Sequence, residues 1–320
     1  MFHWENGLKL TTADLAIDFR RRQPRAFISH AHSDHMARHE FALCTPETAA
    51  LYQLRLGPRR TLAMPYRQPL DWAGLRLTTY PAGHCLGSAM LLAEDGGRAL
   101  LYTGDFKLRP GLTAAAAELP HAEILVIEST YGHPDYRLPP REETIAEFLA
   151  LVRRALAEEK TPVIQGYVLG KSQEVTRVLT DAGIPVLQHG EIYQVSRKYE
   201  ELGCPLGHYE LFRGRAEPGW AVIVPPGRVS ARGWPGEIAR PVRFALTGWA
   251  KDRDAKYRLG VDHALPLSDH ADYDELLEAI QRVAPQTIYC THGPESFVDR
   301  LLDLGYDAHV LGKPSQGRLF

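Results

Sequence analysis

The stretch "FISHAHSDHMARHE", Phe27 to Glu40, is the feature that most restricts what this chain can fold into. Within ten positions it contains four histidines and one aspartate: His30, His32, Asp34, His35 and His39. Neutral imidazole and carboxylate are the commonest nitrogen and oxygen ligands of metals in proteins. A single histidine is usually a structural residue, but the pattern H-x-H-x-D-H is poorly explained without a metal. The stretch therefore predicts a metal-binding loop.

Length and composition favour a globular protein with a substantial core. The chain has 320 residues, of which 44% are hydrophobic and 24% charged, so it needs no covalent cross-links to fold. Its cysteines are far apart and form no C-x-x-C pair, which indicates reduced thiols in an intracellular, cytoplasmic protein: Cys44, Cys85, Cys204 and Cys290. Neither a secretory signal nor an apolar run of the roughly 18 residues that span a membrane is present, so we expect no membrane partner.

Hydrophobic patterning predicts an α/β protein with an inserted domain. The first part reads as short strands that end at polar residues: "LAIDF", "RAFISH", "LRLTTYPAGH", "RALLYTGDF" and "AEILVIEST". From "REETIAEFLALVRRALAEE" onward, helices alternate with strands, which indicates a parallel α/β unit. Metal-type residues return in "LPLSDHADYDELLEAIQRV" and "PQTIYCTHG". The simplest explanation is one metal-binding domain interrupted by an α/β insertion.

Further ligand-type residues stand on predicted strand-end loops. His84, Asp105 and His292 each follow a predicted strand. Strand alternation would point His30 and His32 the same way. Asp34 and His35 are expected on a turn into a helix. A structural zinc site is disfavoured, because such sites are usually cysteine-rich and closed. Five histidines and two aspartates could bind two metals that share one carboxylate: His30, His32, His35, His84, His292, Asp34 and Asp105.

Several motifs resemble those of a known family. "SHAHSDH", "PAGHCLGSAM", "YTGDF" and "IEST" resemble the metallo-β-lactamase fold in its nucleic-acid-processing branch, the β-CASP nucleases. That branch includes Artemis, the crosslink-repair exonucleases and the nuclease subunit of the mRNA 3′-end processing machinery. "VLGKSQEV", "LTGWA", "LSDHADYDELL" and "THGPESFVDRLLDLG" are most similar to the bacterial ligase-associated DNA exonucleases. The resemblance implies a four-layer αββα metallo-β-lactamase domain, residues 1–134 and 262–320, with an inserted β-CASP domain, residues 135–261.

The resemblance also implies two divalent metals, with zinc preferred and manganese the alternative. Asp18 would brace a metal ligand from behind. His39 matches no motif and is expected to be structural. The ligands implied are, for the first metal, His30, His32 and His84, for the second, Asp34, His35 and His292, and, bridging both, Asp105.

Catalytic roles follow from the same resemblance. A hydroxide between the two metals would attack the phosphodiester, and the product would carry a 5′-phosphate. His270 would be the general acid that protonates the leaving oxygen, and Glu128 would hold its imidazole. Asp34 is counted as catalytic as well as a ligand.

Charge is unevenly distributed along the chain. The formal net charge is −2, yet the segment Leu211–Gly260 has ten basic and four acidic residues, a net +6. A charge run is more often a solvated surface than a binding site. In the insertion of a nuclease, however, we expect it to contact phosphates through Arg228 and Arg232. Lys171, at the start of a predicted helix, is a third expected phosphate contact.

The predicted substrate is single-stranded DNA, degraded by a 5′ exonuclease in DNA repair, with a DNA ligase or helicase as possible partner. We base this on the likeness to the ligase-associated branch and on the lack of the additional domain of larger RNA enzymes. His292 favours the alternative, an RNA-processing exo- or endoribonuclease, because the vertebrate repair nucleases have an aliphatic residue there. A small-molecule metallo-hydrolase and a catalytically inactive binding subunit are less favoured functions. Exo or endo mode, native metal and oligomeric state are left open.

Overall fold

The computed structural model of the protein describes residues 1–227 and 238–312, which divide into two compact units. Unit 1 comprises Met1–Pro110, Ala114–Pro134 and, within the described range, 270–312. Unit 2 comprises Gly111–Thr113 and Asp135–Asp269. In the described part of the chain, no helix is both long and apolar enough to cross a membrane.

Short strands dominate unit 1, whereas helices and strands alternate in unit 2. Unit 1 begins with β1 (Phe2–Trp4), β2 (Leu8–Leu10), β3 (Leu15–Ile17), β4 (Arg25–Phe27), β5 (Phe41–Cys44), α1 (Pro46–Leu56), β6 (Thr61–Ala63), β7 (Leu70–Trp72), β8 (Leu75–Pro81), β9 (Ala89–Glu94), β10 (Ala99–Tyr102) and β11 (Ile124–Glu128). Unit 2 contains α2 (Arg141–Ala157), β12 (Thr161–Gln165), α3 (Lys171–Asp181), β13 (Val186–Gln188), α4 (Gly190–Glu201), β14 (Tyr209–Leu211), β15 (Ala221–Val224), β16 (Pro241–Leu246), α5 (Ala255–Leu259) and β17 (His263–Leu265). Unit 1 resumes with α6 (Tyr273–Val283), β18 (Thr287–Thr291), α7 (Glu295–Asp303) and β19 (Ala308–Val310). Short 3₁₀ turns lie at Pro134–Tyr136 and Gly248–Lys251.

Unit 1 is built on two sheets that share a core. The first has the order β1-β2-β3-β4-β5-β6, and the second has the order β19-β18-β11-β10-β9-β8-β7. In β9, Ala89, Leu91 and Ala93 pack into the core shared with the first sheet. Met90 and Leu92 point to the opposite core, where α6 and α7 pack. The second sheet is buried on both faces because alternate side chains of a strand face opposite ways.

Three layers of unit 1 follow from these contacts, namely the first sheet, the second sheet and the α6–α7 layer. This confirms the mixed α/β class, and the strands predicted from "LAIDF", "RAFISH", "LRLTTYPAGH", "RALLYTGDF" and "AEILVIEST" are present as β3, β4, β8, β10 and β11. The complete four-layer arrangement stays a prediction.

Unit 2 is a parallel α/β unit. Its six strands run in the order β14-β13-β15-β12-β16-β17, and every pair is parallel. Helix α2 precedes β12, and α3, α4 and α5 lie in the crossovers that follow β12, β13 and β16. Their apolar faces, with Phe148 of α2 and Val175, Val178 and Leu179 of α3, pack against the sheet in one buried cluster.

Two local expectations differ from the structure. The insertion was expected to end at residue 261, but unit 2 extends to Asp269 because β17 pairs with β16 and completes its sheet. Asp34 and His35 were expected on a turn into a helix. The turn is present, with the His35 amide bonded to the His32 carbonyl, but it leads to the strand β5. The identity of the two units as metallo-β-lactamase and β-CASP domains stays a prediction.

A buried carboxylate organises the interior of unit 2. Glu174 of α3 accepts hydrogen bonds from the backbone amide of Leu112 at 2.9 Å and from the Thr113 hydroxyl at 2.8 Å. It also forms an ion pair with Arg141 at the start of α2. Glu174 is 4% exposed and Arg141 is 8% exposed. One side chain thus connects residues 111–113 to two helices of the unit.

We expect Glu174→Ala to lower the free energy of unfolding by about 3–5 kcal/mol, because it leaves the Arg141 guanidinium buried without its counter-charge. Urea denaturation followed by circular dichroism measures this. The matched control is Glu147→Ala on the exposed face of α2, for which a change within about 0.5 kcal/mol is expected. Equal unfolding midpoints for the two variants would contradict a structural role for this ion pair.

Candidate metal centre

The candidate ligands of unit 1 stand just beyond the carboxyl ends of strands. His30 and His32 follow β4 in the first sheet, whereas His84 follows β8 and Asp105 follows β10 in the second. His292 follows β18, which pairs in parallel with β11. Because the two sheets share a core, their strand ends hold these loops in fixed positions.

Two glycines allow the loops to approach one another. A Cβ on Gly83, next to His84, would lie 2.2 Å from the carbonyl oxygen of Lys107. A Cβ on Gly104, next to Asp105, would lie 2.8 Å from the Cβ of Ser29. Both glycines have positive φ, 78° and 55°, which other residues rarely adopt. Side chains at either position would therefore push two ligand loops apart.

Four side chains converge in the first group. The Nε2 atom of His30 lies 2.9 Å from Nδ1 of His32, and Nε2 of His84 lies 3.1 Å from the same atom. The Oδ2 atom of Asp105 lies 3.5 Å from Nε2 of His30 and 3.9 Å from Nε2 of His84. One ligand atom of each residue lies within 4.8 Å of the others.

This arrangement suits a divalent cation. Each neutral imidazole has one N–H and one lone pair, so three nitrogens directed at one point cannot all be satisfied by hydrogen bonds among themselves. His30 is fully buried, and burial, followed by the neighbouring His35, holds its pKa well below the usual range. His30 is thus neutral, which is the state that binds metal.

A second group lies beside the first. The Nε2 atom of His35 is 3.2 Å from Oδ2 of Asp105, and His292 completes a set of ligand atoms within 4.8 Å. His292 has a φ of 57°, an uncommon conformation for a residue other than glycine that is found more often at functional sites. Asp34 is more peripheral: its Oδ2 atom is 3.8 Å from Nε2 of His35 and 3.9 Å from the Arg20 guanidinium.

Proton affinities in the centre reflect its shared carboxylate. Burial alone would lower the pKa of His35, but Asp105 and then Asp18 outweigh it and raise that pKa well above the usual range. Burial would likewise raise the pKa of Asp105, but His35 and His270 hold it well below the usual range. Asp105 is therefore ionised, which is the state in which a carboxylate can bind a divalent cation.

Asp18 orients the ligands from behind. Its carboxylate accepts hydrogen bonds from Nδ1 of His35 at 2.8 Å, from the Ser29 amide at 2.7 Å and from the Tyr102 hydroxyl at 2.9 Å. The Ser29 hydroxyl also donates to Asp18 and lies 3.0 Å from Nδ1 of His30. A carboxylate on the far nitrogen of an imidazole fixes which nitrogen faces a metal.

Glu128 and His270 form a pair beside the ligands. Nδ1 of His270 lies 3.0 Å and 3.1 Å from the two carboxylate oxygens of Glu128. Glu128 is 1% exposed and also accepts from the Phe106 amide and the Thr130 hydroxyl. The side chain of His270 is 26% exposed, and its ring centroid lies 4.8 Å from that of His84. The pair thus presents an imidazole whose orientation is fixed by hydrogen bonds and which is partly exposed to solvent.

The remaining candidates lie away from the centre. The Lys171 side chain is buried, with its Nζ 2.8 Å from Asp269 and 2.6 Å from the Leu267 carbonyl. This corrects the expected phosphate contact, because the ammonium already has a buried counter-charge. Arg228 and Arg232 lie outside the described residues. His39 is buried, and burial lowers its pKa to about 4, which agrees with a structural role.

Three supporting residues escaped the sequence analysis. Ser29 and Tyr102 bind Asp18, and Thr130 binds Glu128. Each belongs to a quoted motif, Ser29 to "SHAHSDH", Tyr102 to "YTGDF" and Thr130 to "IEST", and that membership was the available signal. Their partners, up to 84 positions away, depend on the packing of the two sheets and could not be assigned from local pattern.

Comparison with known proteins finds sequence similarity to a metallo-hydrolase family model and to proteins named as a probable DNA ligase and as an endoribonuclease. Residues 255–311 match the family model of the Zn-dependent metallo-hydrolase RNA specificity domain. A probable DNA ligase of Opitutus terrae is 39% identical over 98% of this chain, although the chain spans only 31% of that protein. Subunit 3 of the cleavage and polyadenylation specificity factor of Dictyostelium discoideum is 36% identical over 41% of this chain and 17% of its own length. The endoribonuclease YSH1 of Mycosarcoma maydis is 34% identical over 43% of this chain and 16% of its own length.

The structure brings His30, His84, Asp105 and Glu128 into overlapping ligand groups, and the matched family model covers the segment that contains His270 and His292. The chain belongs to the β-CASP nuclease family of the metallo-β-lactamase fold.

Proposed function

We propose that the protein is a two-metal phosphodiesterase that degrades single-stranded DNA from its 5′ end. The observation that carries this proposal is the position of Asp105. Its carboxylate belongs to three ligand groups: the one with His30, His32 and His84, the one with His35 and His292, and the one with Glu128 and His270. A carboxylate shared by two histidine clusters fits a pair of metals that it bridges. The nearby His270, held by Glu128, fits a proton donor beside them.

The proposed ligands are His30, His32 and His84 for one metal, Asp34, His35 and His292 for the other, and Asp105 for both. Zinc is the preferred metal, because the ligands are nitrogen-rich and the matched family model is described as Zn-dependent. Manganese is the alternative, since carboxylate oxygens also suit it. In this proposal unit 1 is the four-layer metallo-β-lactamase domain and unit 2 is the inserted β-CASP domain.

When bound, two such cations lower the pKa of a water molecule and neutralise charge on the phosphodiester. The residues of the chain supply the proton transfer and its geometry. Nδ1 of His270 faces Glu128, so the proton donated to the leaving oxygen would be the one at Nε2. The buried Glu128 carboxylate stabilises the charged imidazole before transfer and holds the ring orientation. The exposed Asp34 carboxylate lies at the open side of the second ligand group and is proposed to act there as ligand and catalytic residue.

A DNA substrate is proposed from the extent of the similarity. The relative that matches 98% of this chain is named as a probable DNA ligase, whereas the cleavage and polyadenylation specificity factor subunit matches 41% and the endoribonuclease 43%. A DNA ligase or a helicase acting in repair is the proposed partner class. RNA is the second candidate, favoured by the matched RNA specificity domain, which includes His292.

The first prediction concerns metal content. Elemental analysis of metal-replete protein should give about two equivalents per chain. Asp105→Ala should be among the most damaging single changes, because it removes the ligand common to both sites. Asp71→Ala, which removes an aspartate that is 85% exposed, is the control and should retain both equivalents. A single equivalent in the unaltered protein, together with full nuclease activity of Asp34→Ala, would contradict the two-metal assignment.

The second prediction concerns the general acid. His270→Ala should retain both metals and lose a factor of about 10²–10⁴ in cleavage rate, because proton donation to the leaving oxygen is removed. Metal content and single-turnover cleavage are measured on the same preparation. The control is His3→Ala, at an exposed position of β1. Loss of a metal from His270→Ala would show that the residue is a ligand instead.

The third prediction concerns substrate and direction. Matched DNA and RNA strands, labelled separately at the 5′ and 3′ ends, are incubated with the protein and Zn²⁺ or Mn²⁺. Early release of the 5′ label from DNA is expected, with RNA left intact and with strong inhibition by salt. Faster cleavage of RNA would support the second candidate function, and cuts in a circular strand would contradict the exonuclease mode.

A further inference from the structure

Unit 1 contains a cavity lined by four arginines. Its volume is about 420 Å³, and its lining includes Arg22, Arg38, His39, Glu40, Arg59 and Arg60. Four guanidinium groups and one carboxylate give this site, which we call the arginine pocket, a formal charge of +3, while His39 is buried. Among the described residues, no ligand of the candidate metal centre lines it. The site was not apparent from the sequence, because its arginines are distributed over 39 positions of a chain with a net charge of −2.

The topology of the first sheet brings these arginines together. Arg22 precedes β4, Glu40 immediately precedes β5, and Arg59 and Arg60 precede β6. These three strands are parallel neighbours, so the segments that enter them meet beside the amino ends of the strands. The Arg60 carbonyl accepts a hydrogen bond from the Ala42 amide, which fixes the spacing between two of the segments.

Most of the positive charge in the arginine pocket is not neutralised within the described residues. Arg22 donates to Glu40 at 3.2 Å. Arg59 donates from Nη1 to the Pro58 carbonyl, and its Nε makes no hydrogen bond to any described residue. Arg38 and Arg60 are exposed and form no ion pair with the part of the chain that the structure describes. Several guanidinium donors thus remain for an anion, and planar guanidinium groups bind phosphate in a bidentate manner.

The arginine pocket is close to the candidate metal centre along the chain and across the sheet. Arg38 is three residues after His35, and three residues span at most about 11 Å. Five residues, Arg25–Ser29, separate the segment that enters β4 from His30, and the six steps from Pro24 to His30 span at most about 21 Å. Phosphates of one strand repeat every 3.4 Å or so along the axis of a duplex, and an extended single strand places them farther apart. A strand of roughly three or more nucleotides beyond the cleaved bond could therefore reach the pocket.

We propose that the arginine pocket binds the phosphodiester backbone of the substrate strand, several nucleotides away from the bond that is cut. This inference rests on the proposed nuclease function and assigns to unit 1 the phosphate contacts that the sequence placed in the basic segment 211–260. The pocket offers guanidinium groups in place of stacked aromatic rings, so it recognises backbone charge and not base identity.

The test is the binding of fluorescent single-stranded oligodeoxynucleotides to Arg38→Gln/Arg60→Gln, followed by anisotropy over a series of NaCl concentrations. The protein is metal-replete, and phosphorothioate linkages in the oligodeoxynucleotides prevent turnover, so the outcome does not depend on whether the protein cleaves DNA. The matched control is Arg76→Gln/Arg98→Gln, which removes the same charge from two exposed positions of unit 1. Thermal denaturation of both variants verifies folding.

We expect the variant to bind more weakly than the unaltered protein and the slope of log Kd against log salt to fall by about 1.4, since each lost contact to a single strand contributes about 0.7. The ratio of the two Kd values should increase with strand length and be the same for strands with a 5′-phosphate and a 5′-hydroxyl. An unchanged slope, or an equal loss in the control, would overturn the inference. A loss confined to 5′-phosphorylated strands would also overturn it, because it would indicate a site for the terminal phosphate alone.

Discussion

The convergence of imidazole nitrogens on the Asp105 carboxylate is the constraint on which the rest of unit 1 depends. Buried imidazole nitrogens that converge within about 3–4 Å cannot all be satisfied by hydrogen bonds among themselves, and a bound cation would satisfy them. Holding them there requires rigid loops, and the loops are rigid because they leave two sheets that share one core. The alternating burial of β9, the close approaches at Gly83 and Gly104, and the carboxylate of Asp18 all serve this convergence.

The candidate site could be predicted from the sequence to a large extent, because its chemistry is concentrated at strand ends. His30, His32, His84 and Asp105 follow short apolar runs in the printed sequence, and the structure brings all four together. A strand can be recognised from a few consecutive residues, and the polar residues that follow it are located at the same time. Which terminus meets which depends on the strand order of each sheet, and for this chain the motif order in the resemblance supplied what local pattern could not.

The errors have a common physical cause, namely that a local pattern does not identify tertiary partners. Lys171 has the pattern of an exposed residue at a helix start, but Asp269, 98 positions later, buries and neutralises it. The segment at β17 was expected to lie beyond the insertion, but pairing with β16 makes it part of unit 2. The turn after His32 was expected to enter a helix, and β5 follows because its residues pair with two neighbouring strands.

Charge illustrates the same limit in a form that bears on function. A window along the sequence averages residues that are consecutive, whereas a phosphate meets residues that are adjacent in space. The +6 segment, Leu211–Gly260, is detected because its basic residues lie close together in the sequence. A single window cannot detect arginines that three separate loops contribute to one site. The amino ends of β4, β5 and β6 lie side by side, and the segments that precede them form such a site although each has an ordinary composition. In the parallel part of a sheet, the carboxyl ends of the strands can therefore hold the reacting phosphate while the amino ends of the same strands hold phosphates farther along the substrate. Short strands such as β4, with three residues, keep the two ends close enough for one nucleic-acid strand to contact both.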